Sequence, residues 1–155
     1  MNRVALLAVA AALSLAGVSL LAACGGTTNA AQQKTKAAGT FVRQVTLEFS
    51  RGQSGRLWDQ LLASDQTVVS RSRFVECQAN TGWNLKSLKI LDNYDDHVAV
   101  GAKTISATAV TVRATSDDGI TTATMHAVPV GEGWRWILQP SDRQAYLKGK
   151  CPRAG

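Results

Sequence analysis

The sequence predicts an α+β domain, and three observations carry that expectation. Apolar residues recur at helical spacing between residues 39 and 80, β-branched runs follow from residue 83 onward, and turn signals separate those runs. Helices first and antiparallel strands afterwards place two or three helices on one face of a curved antiparallel sheet. The chain has 155 residues, 45% of them hydrophobic, which suits one core and not two. Only 18% of residues are charged, which excludes a disordered tail protein.

Residues 1–23 read as a secretory signal peptide. Arg3 supplies a positive charge, and the apolar run over residues 4–20 is broken only by Ser14, Gly17 and Ser19. The run ends in Leu21-Ala22-Ala23-Cys24-Gly25. That ending resembles the lipobox of bacterial lipoproteins, in which small aliphatic residues precede a cysteine whose thiol accepts a diacylglycerol before the signal is removed. The resemblance implies that Cys24 becomes the acylated first residue of a mature chain anchored at the extracytoplasmic face of the cell membrane. Two other readings use the same residues. Residues 4–23 are long enough to span a bilayer uncleaved, although the stretch is alanine-rich and lacks a positive stop-transfer flank. Leu21-Ala22-Ala23 would also suit an ordinary secretory cut. A cysteine at the first mature position favours the lipoprotein.

Processing at Cys24 removes Arg3 and no acid, which lowers the formal net charge from +6 to +5. No nucleic acid is expected as a partner of a basic exported domain. Anionic lipid head groups or wall polymers would feel its screened, non-specific field, and a soluble surface with a modest excess of base accounts for the same charge. Residues 25–38 hold no large apolar side chain, so residues 24–38 are expected to form a lipidated flexible linker. Lys34 and Lys36 read there as solvated linker lysines within reach of head groups.

Residues 39–155 carry the folded domain. Phe41, Val42, Val45 and Phe49 form a first helical group, Leu57, Trp58, Leu61 and Leu62 a second, and Phe74 with Cys77 a third. Arg51-Gly52-Gln53-Ser54-Gly55 breaks the first from the second, and Ser64 or Ser70 can cap the third. Strands are expected over residues 83–91, 110–114 and 120–130. Ser116-Asp117-Asp118-Gly119 contains the Asp-Gly pair of a tight hairpin, and Gly131-Glu132-Gly133 makes a second turn before Trp134-Arg135-Trp136-Ile137-Leu138. Pro140 and Ser141 end that strand, and a brief helix is expected over residues 141–147.

A long first helix, a Trp/Leu-Leu second helix followed by Ser64-Asp65, Arg71-Ser72-Arg73-Phe74-Val75-Glu76-Cys77 in a third, a meander ending in Gly133-Trp134-Arg135-Trp136, and a terminal Gly149-Lys150-Cys151-Pro152 stand in that order. The arrangement resembles the nuclear transport factor 2-like, cystatin-like cone domains of small actinobacterial lipoproteins. The resemblance covers residues 39–155. It implies a curved sheet wrapped around the first helix, with a cavity at the open end of the cone.

With Cys24 taken by lipid, Cys77 and Cys151 remain as an even pair in an oxidising compartment, and they are expected to form a disulfide. Closing that loop gives about 4 kcal/mol in the chain-entropy model. No Cys-x-x-Cys or Cys/His spacing points to a redox or metal role, and neither metal nor cofactor is expected. Asp92-Asn93-Tyr94-Asp95-Asp96-His97 is the one dense polar cluster. Asp92, Asp95, Asp96 and His97, with Tyr94, could run acid/base chemistry of the isomerase or dehydratase type found in the resembled fold, but the same composition describes a solvated turn between strands. His126, sharing a strand face with Thr122, Thr124 and Val128, reads as a half-buried cross-strand partner.

Trp58, Trp83, Trp134 and Trp136 supply large area to a small core, and Trp58, Trp83, Tyr94 and Trp136 are candidates to line a cone cavity. Gly-x-Ser-x-Gly, phosphate-loop, His-Glu-x-x-His and dinucleotide motifs are all missing. The expectation is therefore a membrane-anchored, non-catalytic binding module for an apolar small molecule, a lipid or an envelope protein. An enzyme using Tyr94 with nearby acids and a structural interaction protein with a filled cone are the alternatives. The fold does not choose among the three.

Overall fold

The structure, a computed structural model, describes residues 26–79 and 82–152. Residues 1–23, read as a signal peptide, and Cys24, the expected lipidation position, lie outside the described residues. Five helices and four strands follow in chain order: α1 Gly26–Ser50, α2 Ser54–Asp59, α3 Ala63–Gln66, α4 Arg71–Cys77, β1 Leu85–Val100, β2 Lys103–Ser116, β3 Gly119–Val130, β4 Gly133–Trp136 and α5 Pro140–Leu147. The architecture is α+β, with α1 packed on an open antiparallel sheet of order β1-β2-β3-β4. Four helices precede the sheet where two or three were expected. The additional one, α3, is a single turn too short to show a periodicity.

Helix α1 starts at Gly26 and so runs through the stretch read as a flexible linker. Two physical facts override the composition there. Ala30, Ala31, Gln32, Gln33, Lys34, Ala37 and Ala38 are strong helix formers, and the domain offers them a docking face. Ala38 is fully buried, Lys34 Nζ pairs with Asp95 at 2.9 Å, and Asn93 Nδ2 donates to the Thr35 carbonyl at 2.9 Å. Gly39 permits this approach, since a Cβ there would stand only 3.3 Å from Asn93 Nδ2.

Strand β1 is the second departure. It continues for 16 residues through the polar cluster at 92–97, which is therefore strand and not turn. The reversal comes instead at Gly101, whose φ of 64° suits glycine. Asp117-Asp118 and Gly131-Glu132 make the other two reversals, where turns were expected. Helix α5 also forms where the sequence places it, with Pro140 in its first turn.

Alternation along β2 sends Val110, Val112 and Ala114 toward α1, where they pack with Val42, Leu88 and Ala127. Ala107 points to the opposite face and joins Val100, Val128 and Ile137. The largest cluster joins α1, the short helices, β4 and α5 through Val45, Leu57, Leu61, Phe74, Trp136 and Tyr146. Trp136 is its centre. Phe49 meets it edge-on with ring centroids 5.4 Å apart, and its Nε1 donates to the Leu57 carbonyl at 2.8 Å. Leu62 N donates to Trp136 O at 2.8 Å, so the chain between α2 and α3 closes the β4 edge of the sheet.

An ion pair and a disulfide are among the links that hold the C-terminal segment. Asp65, 1% exposed, pairs with Arg143 of α5 through Oδ1 and accepts the Leu138 amide on Oδ2 at 2.9 Å. Cys77 and Cys151 form the expected disulfide, with Cα atoms 5.3 Å apart.

Candidate functional site

A cleft of about 280 Å³ opens between α1 and the hairpin end of β2 and β3. Its origin is in the strand register. Val112 faces Ala123 and Ala114 faces Thr121, so the α1-facing positions here carry small side chains where larger ones would close the layer. Phe49, Trp83 and Met125 supply the apolar walls, and the disulfide at Cys77 and Pro152 forms the rim near α5. Trp83 is half-buried and held in place by its amide, which donates to the Ser50 carbonyl at 3.2 Å. Thr46, Gln78, Thr121 and Asp142 add polar groups to an otherwise apolar lining. Burial raises the Asp142 carboxyl above its usual range, and the Ser141 hydroxyl offsets part of that rise.

Of the four aromatic residues expected at a cavity, the cleft takes Trp83 alone. Trp58 packs against the core, its Nε1 donating to the Val69 carbonyl at 2.9 Å. Trp136 is buried at the centre of that core. Tyr94 stands 48% exposed, on the sheet face that Ala109 shares and α1 does not cover. Trp58 and Trp136 are drawn inward because each indole N–H finds a backbone carbonyl there, which removes the usual reason for an indole to stay near water.

The acid/base cluster does not converge either. Alternation along β1 sends Asp95 and His97 to the α1 side, where Asp95 meets Lys34 and His97 Nε2 lies 3.5 Å from Ser106 Oγ. Tyr94 and Asp96 go to the other face. There Asp96 Oδ2 reaches across β2 to His126 Nε2 at 3.0 Å, the half-buried cross-strand role expected of that histidine. The amide of His97 and the His126 ring hold the Asp96 carboxyl below its usual range. Asp92 is exposed and accepts from the Asn93 amide at 2.8 Å.

Sequence reasoning placed Trp83 alone at the cleft and missed the rest of its lining, including Thr46, Phe49, Gln78, Met125 and Asp142. A usable signal was present in Ala114, Thr121 and Ala123, three small residues at strand positions where a well-filled layer carries Val, Ile or Leu. Asp142 gave no such signal, because a surface helix commonly starts with an acid. Among the described residues, no His, Cys, Asp or Glu side chains gather as a metal site, and no helix is long and apolar enough to cross a membrane. No known protein family, characterised protein or solved structure matches this chain.

Proposed function

We propose that this protein is an extracytoplasmic lipoprotein, anchored through Cys24, whose domain binds an apolar small molecule or lipid in the cleft beside Trp83. The observation that carries the reading is a pocket walled by Phe49, Trp83, Val112 and Met125 at the hairpin end of β2 and β3. The likeness to nuclear transport factor 2-like domains supports it, since that cone is open at one end. The acid/base alternative is weaker, because the cluster divides between the two sheet faces, with Asp95 and His97 on the α1 side and Asp92, Tyr94 and Asp96, the last already paired with His126, on the other.

A bound apolar molecule is expected to quench tryptophan fluorescence and to raise the melting temperature by mass action. Trp83→Ala should weaken that binding by roughly tenfold or more, about 1.4 kcal/mol, while lowering the melting temperature far less than Trp136→Ala does. A panel of lipids and hydrophobic small molecules that moves neither fluorescence nor melting temperature would replace this reading with a protein-docking role.

The anchor has its own test. Cys24→Ser removes the only thiol that the lipobox offers, so the protein should appear in the medium or persist as uncut precursor. Wild-type membrane partitioning of that variant would dismiss the lipoprotein assignment.

A further inference from the structure

We propose that the ligand of the Trp83 cleft is a cationic amphiphile: an apolar body lies on Phe49, Trp83 and Met125, and a protonated amine head pairs with Asp142. This deepens the reading of the cleft as a ligand site and rests on it.

Five acids have a lysine or arginine partner, while Glu48, Asp92, Asp118, Glu132 and Asp142 have none among the described residues, and of these five only Asp142 lines the Trp83 cleft. Asp59 meets Arg71, Asp65 meets Arg143, Asp95 meets Lys34, Asp117 meets Lys86 and Glu76 meets Arg73. Asp142 lines the cleft, yet its hydrogen-bond partner among the described residues is the neutral Ser141 hydroxyl at 3.4 Å. It is half-buried against an apolar lining, so its carboxylate has lost part of its hydration without gaining a cation among the described residues. An incoming ammonium would supply that cation through a charge-assisted hydrogen bond, in a setting drier than bulk water. Trp83 adds a second preference of the same sign, because an indole face attracts cations. A carboxylate or phosphate head would be repelled by Asp142, whereas a neutral alcohol would gain only an ordinary hydrogen bond.

The test uses octylamine, octanol and octanoate, three probes of equal chain length whose heads are cationic, neutral and anionic at pH 7. Each is titrated into the full chain with the disulfide intact and followed by tryptophan fluorescence. Octylamine is expected to bind at least roughly tenfold more tightly than octanol, and octanoate least of all. Asp142→Asn should bring octylamine down to the level of octanol, and a cooperative thermal melt of the ligand-free variant at the unaltered protein's temperature reports an intact fold. Asp142→Glu should restore the preference. Equal binding of octylamine and octanol to the unaltered protein overturns the amine assignment but leaves the apolar cleft standing, as does a preference that survives in Asp142→Asn. Failure of all three probes overturns both readings.

Discussion

Replacing Asp65 with alanine is expected to destabilise the domain by about 3–5 kcal/mol, the usual consequence of breaking a buried ion pair from one side. The carboxylate is 1% exposed and has two obligations, Arg143 and the Leu138 amide. Its loss leaves the guanidinium without its anion and the Leu138 N–H without an acceptor, at a site too buried for bulk water to replace both. Arg143→Ala should be severe for the complementary reason, since it strands a carboxylate that is more deeply buried than its partner. The double replacement Asp65→Leu with Arg143→Met should be less harmful than either single one, because two apolar side chains strand no charge. Urea denaturation of the four proteins checks this. A loss below about 1 kcal/mol for Asp65→Ala would show that the pair is no more than a surface contact.

Opening the Cys77–Cys151 disulfide should have an effect of similar size by a different route. The bond closes a separation of 74 residues, and releasing it returns about 4 kcal/mol of conformational freedom to the unfolded chain. Cys77 and Pro152 also form part of the cleft, so Cys151→Ala should weaken ligand binding under conditions where the domain is still folded. Thermal melts of oxidised and reduced protein, with peptide mapping under non-reducing conditions, separate the two consequences. Equal melting temperatures for the oxidised and reduced forms would contradict the first, and unchanged ligand affinity in folded Cys151→Ala the second.

Much of the fold was legible because local chemistry decided it. Asp117-Asp118-Gly119 and Gly131-Glu132-Gly133 demand reversals, Pro140 starts a helix, and the period of Phe41, Val45 and Phe49 marks a helix face. The features that escaped sequence reasoning depend on partners distant along the chain. The segment from Gly26 to Ala38 is helical against a β1 strand more than fifty residues away, as the 58-residue separation of Asn93 and Thr35 shows. Asp92 to His97 reads as a turn until Asn93, Asp95, Asp96 and His97 find partners on one sheet face or the other. The cleft was legible only as the absence of bulk at Ala114, Thr121 and Ala123, and its acid, Asp142, only through the docking of α5.

The sheet's spatial order is also its order along the chain, and each of its three reversals spans two residues. Closing such short loops costs little entropy, so the meander is the segment able to form first. The Asp65–Arg143 pair instead joins residues 78 positions apart, a closure that costs less once the hairpins have shortened the path between them. Contacts made after the rate-limiting step leave the folding rate almost unchanged and act on the rate of escape. On that order of events the ion pair between α3 and α5 acts on how long a folded molecule survives more than on how quickly it is made.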